Sequence, residues 1–192
     1  MPAIQQVIMT LRGAAPPPPP VTWQNIVGAT ESPPGVLTKT AADGWGNCGA
    51  VSVVTMAADC RFTYYWDGVE HPFCGIGVDS TCNTFATVDY AFNPIPNTDS
   101  VQVWENGGQP GVTPPSHGPG QFQMVQIERI GSVVKYYSLP YSSSGPRPAT
   151  NDPSRILVYT SLVSSTGTLY VNVAMFNNGS TADAANFVWE AI

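Results

Sequence analysis

From Val21 onward the chain is a succession of short β-prone runs, and no stretch holds a helical period. The runs are Thr22–Val27, Val36–Thr40, Gly49–Val54, Cys60–Trp66, Phe73–Val78, Val88–Phe92, Val101–Glu105, Phe122–Ile130, Ser132–Tyr137, Ile156–Ser161, Leu169–Phe176 and Asn186–Ala191. Turn signals separate them: Pro33-Pro34-Gly35, Asp43-Gly44, Asp67-Gly68, Asn106-Gly107, Ile130-Gly131 and Asn178-Gly179. Many short strands with this punctuation predict an all-β sandwich or barrel. Only Thr181–Ala185 reads as a single helical turn. Pro114–Gly120 and Leu139–Pro153, rich in Pro, Ser and Gly, read as long surface loops, and such loops are often functional. At 192 residues, 43% of them hydrophobic, the chain suits one medium domain with a full core.

Charge narrows the partners. Lys plus Arg number 7 against 13 Asp plus Glu, a formal net charge of −6. A protein that grips phosphates clusters its cations, and no such cluster occurs here. Nucleic acid and anionic membrane surfaces are therefore not expected partners, whereas a neutral polymer such as a glycan is compatible. No apolar run approaches the roughly 20 residues of a membrane-spanning helix. The first residues lack the basic-then-apolar order of a secretory signal.

The front of the chain differs from the rest. Ile4, Val7, Ile8 and Leu11 make a helical stripe, although Val7-Ile8-Met9 suits a strand equally well. A segment this short is not stable alone in water. Five consecutive prolines, Pro16–Pro20, then form a stiff spacer of roughly 3 Å per residue. The expected layout is an anchoring arm with its spacer over residues 1–20 and a β domain over 21–192. The arm is expected to dock on another protein of a larger assembly.

Cys48, Cys60, Cys74 and Cys82 all fall in one part of the chain, with no Cys-x-x-Cys pair. Two disulfides, in any of three pairings, or four reduced buried thiols remain open.

Trp23-Gln24-Asn25-Ile26-Val27-Gly28, followed by Leu37-Thr38-Lys39-Thr40 and Gly44-Trp45, resembles the opening of concanavalin-like (laminin-G-like) lectin/glucanase domains of phage and bacterial surface proteins. Gln126-Ile127-Glu128-Arg129 and Gly131-Ser132-Val133-Val134-Lys135-Tyr136-Tyr137 continue the likeness as a hairpin, with Ile156–Ser161 as its partner strand. The resemblance implies a two-sheet antiparallel jelly-roll sandwich, on which function is not fixed by fold. The loop Leu139–Pro153, the cysteines and the arm depart from the family's usual pattern.

Hydrolysis of a glycosidic bond needs two flanking carboxyl groups. The Glu-x-Asp strand of the glucanase members is absent, and Asp67 and Glu70 sit in a turn. Glu105 and Glu128, near strand ends, are expected to be exposed. The two histidines, His71 and His117, accompany no nucleophile elbow, so no catalytic residue is expected. Asp79-Ser80-Thr81 and Asn93–Asp99 offer oxygen donors for calcium, but read more simply as turn chemistry; no cofactor is expected. Sugar recognition uses aromatic faces beside amides and hydroxyls, and the candidates are Trp66, Trp104 and Tyr141, with Asn106 as polar partner.

The expected function is a non-enzymatic surface module of a larger particle, a phage virion or other extracellular surface. It would be held by residues 1–20 among other virion proteins and further copies of itself, and would bind cell-surface polysaccharide. The rival readings are a purely structural coat protein and a glycoside hydrolase with an unfamiliar site.

Overall fold

The computed structural model describes residues 20–68, 72–95, 100–116, 118 and 121–192. The arm residues Ile4, Val7, Ile8 and Leu11, and also Glu70, His71 and His117, lie outside the described residues. The runs read from the sequence become strands β1 (Trp23–Val27), β2 (Ala29–Glu31), β3 (Val36–Lys39), β4 (Gly49–Met56), β5 (Cys60–Trp66), β6 (Phe73–Gly77), β7 (Tyr90–Ile95), β8 (Ser100–Glu105), β9 (Gln121–Ile130), β10 (Val133–Ser142), β11 (Ile156–Thr160), β12 (Leu169–Ala174), β13 (Thr181–Asp183) and β14 (Phe187–Ala191).

They form a six-stranded sheet, β1-β4-β12-β6-β7-β8, a five-stranded sheet, β11-β10-β9-β5-β14, and a small sheet, β13-β3-β2. Every ladder is antiparallel. The hairpin centred on Gly131 pairs Val133 with Ile130 through to Ser142 with Gln121, and β11 joins it with Thr160 opposite Lys135. One apolar core fills the space between the two large sheets. It takes Ala50, Cys74, Ile76, Phe92, Val103 and Val173 from the six-stranded side, and Phe62, Tyr64, Trp66, Val125, Ile127, Tyr136 and Trp189 from the five-stranded side. The fold is the jelly-roll sandwich that the resemblance implies.

Local departures from the expected runs have physical reasons. The segment read as a strand from Val88 starts at Tyr90, because a 3-10 turn, Phe85–Thr87, precedes it and is capped by the Thr84 hydroxyl. The helical turn expected over Thr181–Ala185 divides into β13 and a 3-10 turn, Ala184–Asn186, capped by Asp183. The loop expected from Leu139 opens only after Ser142, since Leu139 to Ser142 extend β10 alongside β9.

Residues 143–155 fold back over the outer face of the five-stranded sheet as a strap. Arg147 lies 5.0 Å over the Tyr65 ring and donates to the Ala185 carbonyl and the Asn186 side chain. Tyr65 donates to the Pro148 carbonyl at 2.8 Å. Arg155 stacks 4.3 Å over Tyr137 and pairs with Glu128, which also pairs with Arg61. Glu128 is therefore buried mid-strand, not exposed as expected. Burial alone raises its pKa, but the hydrogen bonds and charges of Arg155 and Arg61 outweigh that and hold the carboxyl below its ordinary value.

All four cysteines are buried and none is in a disulfide, so the structure takes the second of the two readings left open. Cys60 and Cys74 face the core from different sheets. Burial pushes the Cys60 thiol up to about 11 and the Cys82 thiol up to about 12; such thiols behave as small hydrophobes.

Candidate functional site

Alternation along the six-stranded sheet turns one set of side chains into the core and the other outward. On the outward face Val51, Phe73, Ala91 and Ala174 form a second apolar cluster, against which Phe85 and Trp104 pack. Two loops lie over this face. One carries Phe85, and it reaches the sheet because Gly49 has no side chain: a Cβ there would stand 2.5 Å from the Cys82 carbonyl oxygen. The other, residues 41–48, carries Trp45 between Gly44 and Gly46, whose positive φ angles of 131° and 88° suit glycine.

The Trp45 loop is fixed from beneath by Lys39. This side chain is only 1% exposed. Its Nζ donates to Gly44 O at 2.7 Å, Asn47 Oδ1 at 2.7 Å and Met175 O at 2.9 Å, which uses all three of its protons. The loop is also joined to the segment after β12. Gly44 N donates to Phe176 O at 2.9 Å, and the Asn178 side chain donates to Thr40 O and Ala41 O.

The result is a preformed aromatic cluster at the surface. The Trp45 ring centroid stands 5.1 Å from Phe85, 5.3 Å from Phe176 and 5.9 Å from Phe73. Trp104 stands 5.7 Å from Phe73 and 5.5 Å from Phe85. Trp45 is 37% exposed and Phe176 42% exposed. Two cavities open beside Trp45. The larger, about 180 Å³, is lined by Trp45, Asn93, Pro94, Ile95, Phe176, Asn177 and Ser180. The smaller, about 80 Å³, is lined by Trp45, Phe73, Phe85, Asn93 and Trp104. Gln102 Oε1 accepts from the Trp104 indole at 3.3 Å and, at a long 3.5 Å, from the Asn93 amide. Among the described residues neither cavity has a charged lining residue. The cleft offers flat apolar faces beside neutral amide and hydroxyl groups.

Of the four expected sugar-binding residues, the structure brings only Trp104 into this cleft. Trp66 is 1% exposed and belongs to the core. In Tyr64-Tyr65-Trp66 it is Tyr65 that points outward, and the strap covers it. Tyr141 sits on the other sheet, edge-on to Tyr65 and Phe122. Asn106 occupies the turn after β8 with φ 48°, exposed, and lines a separate cavity with Asp89 and residues 163–166. Trp45, Asn93, Phe85 and Phe176 were not among the expected site residues. Asp79 Oδ1 accepts from Thr81 N and Oγ1, as in an Asx turn. Among the described residues no group of three or more His, Cys, Asp or Glu is placed to hold a metal ion.

No protein-family description matches the chain, and no curated protein sequence does. Solved structures are similar to it in fold. A functionally unknown protein from Saccharomyces cerevisiae superposes with a TM-score of 0.51 at 12% identity, over 90% of this chain and 96% of that one. The TRIM65 PSpry domain gives 0.50 at 12% identity, over 91% and 90%. The Ca2+/Man-bound exoplasmic/lumenal domain of VIP36 gives 0.49 at 6% identity, over 89% and 90%. At these identities the likeness is one of fold, an antiparallel β-sandwich.

Proposed function

We propose that this chain is a non-enzymatic recognition module that holds a neutral glycan in the cleft between Trp45, Trp104 and Phe176. The observation that carries the reading is the cluster of exposed and half-exposed rings set beside Asn93, Asn177 and Ser180, held in place by the buried Lys39. Sugar rings present apolar C–H faces and polar edges, and such a surface complements both. Because the loop is pinned before any ligand arrives, less ordering entropy opposes binding. Among the described residues no Asp or Glu lines the cleft. Hydrolysis requires two such groups at the bond, so the proposed act is capture.

The same proposal gives residues 1–20 the role of a tether. They would fix the module to a larger particle, a phage virion, beside other virion proteins and further copies of the chain, with the cleft turned toward cell-surface polysaccharide. The sequence supports this part: an apolar stripe too short to fold alone, held off by five prolines.

A glycan array probed with the wild-type chain and with Trp45→Ala tests the binding reading. Binding to at least one neutral polysaccharide, reduced at least tenfold by the substitution, is expected. A blank array would remove the recognition role and favour a coat protein. Removal of residues 1–20 should release the chain from its particle and leave array binding unchanged; retention on the particle would refute the tether.

A further inference from the structure

The two cavities beside Trp45 differ in their linings. The larger has amide and hydroxyl groups at its wall, Asn93, Asn177 and Ser180. The smaller is lined by four rings, Trp45, Phe73, Phe85 and Trp104, and among the described residues Asn93 is its one lining group with a polar side chain besides the Trp indoles. The Trp104 indole N–H is already directed to Gln102. Asn93 lines both cavities.

We propose, resting on the glycan-binding reading above, that the ligand is an N-acetylated sugar, whose acetyl methyl enters the ring-lined cavity while its amide meets Asn93. At about 80 Å³ this cavity holds about two or three waters' worth of volume, taking about 30 Å³ for each. That suits an acetyl group better than a whole sugar ring, which the larger cavity beside Trp45 takes. A plain hydroxyl in the same place would give up its water for surroundings with one amide to bond, and a buried polar group left short of partners opposes binding. A methyl loses nothing there, and the acetamide supplies both a donor and an acceptor at the cavity mouth, where the Asn93 amide carries the complementary pair. The uncharged lining also disfavours the carboxylate of an acidic sugar, which would find no cation in the cleft among the described residues.

The test is calorimetric titration with matched pairs: N-acetylglucosamine and glucose oligomers of one linkage and length, and N-acetylgalactosamine and galactose. The acetylated member should bind tighter by about tenfold or more, the span that one small apolar group commands in a hydrophobic pocket. Phe85→Trp, which narrows the small cavity, should cost the acetylated member of each pair more affinity than the unacetylated one, so that the preference shrinks. Equal affinity within every pair, still lost on Trp45→Ala, would overturn the acetyl inference and leave the glycan reading standing. Absence of binding to both members of every pair, in a chain whose thermal unfolding is normal, would overturn both.

Discussion

Lys39→Met is the perturbation that most sharply separates a pinned cleft from an incidental cluster of rings. Lys39 is buried, and its ammonium bonds to three neutral acceptors, Gly44 O, Asn47 Oδ1 and Met175 O. Methionine has similar length and is apolar, so the cost of keeping a charge away from water disappears together with its bonds. What remains is one buried acceptor without a donor, Met175 O, and two part-buried ones, Gly44 O and Asn47 Oδ1, that water can reach. A buried unsatisfied group costs about 1–3 kcal/mol. For a domain of this size 1 kcal/mol moves the melting temperature by about 2–4 °C, so a drop of about 2–12 °C is expected by circular dichroism. Well below that transition the chain stays folded, but the Trp45 loop is then free to sample other positions. Glycan affinity at 25 °C should therefore fall about tenfold, equivalent to about 1.4 kcal/mol. An unchanged melting temperature with unchanged affinity would refute the claim that this ammonium builds the site. A lower melting temperature with wild-type affinity would show that Lys39 supports the fold but not the cleft.

Two carboxyls give pH dependences of opposite sign. Glu128 has its pKa held below the usual 4.5 in the folded state, burial being outweighed by Arg155 and Arg61; it contributes stability that is present above that value and lost as the pH falls through the folded pKa. Glu128→Gln should therefore flatten the acid limb of a stability profile measured by urea denaturation below pH 4.5, and a limb that stays as steep would contradict the strap's ion-pair network. Asp89 is raised above 3.8, chiefly by burial and further by Asp79, against a hydrogen bond from Val78 N; its contribution favours the folded state at low pH and fades as the pH rises through the folded pKa. Asp89→Asn keeps an acceptor for Val78 N and should raise stability at pH 7; a loss there would contradict the reasoning.

Much of the sandwich was legible because a half-buried strand alternates and its turns announce themselves. Cys60–Trp66 and the hairpin around Gly131 carry both signals; the first strand and the pairing across the hairpin match the expectation, whereas Cys60–Trp66 pairs with β9 and β14 and not with the strand that follows it. The three-residue strands β2 and β13 carry too few residues for a period, and only pairing with β3 defines them. The strap reads as an open loop because its Pro, Ser and Gly composition is that of a loop, and nothing local shows that Arg147 and Arg155 return to Tyr65 and Glu128. Trp66 was misplaced although its phase was available: Cys60, Phe62 and Tyr64 share its side of β5, while Arg61 and Thr63 share the side of Tyr65. Trp45 also left a signal, a bulky ring between two glycines in a turn-rich stretch, where a chain has no strand to bury it. Asn93 and Phe176 left none, since what makes them site residues is the placing of β7 and β12 in one sheet.

The binding claim is met most directly by nuclear magnetic resonance of the tryptophan indole N–H groups during titration with the sugar that binds best on the array. The five indoles divide cleanly: Trp23, Trp66 and Trp189 are buried in the core, and Trp45 and Trp104 stand at the cleft. Shifts confined to Trp45 and Trp104, saturating with a single binding curve, are the expected result. Saturable binding that leaves both of those signals where they were would place the sugar elsewhere and contradict the assignment of the cleft.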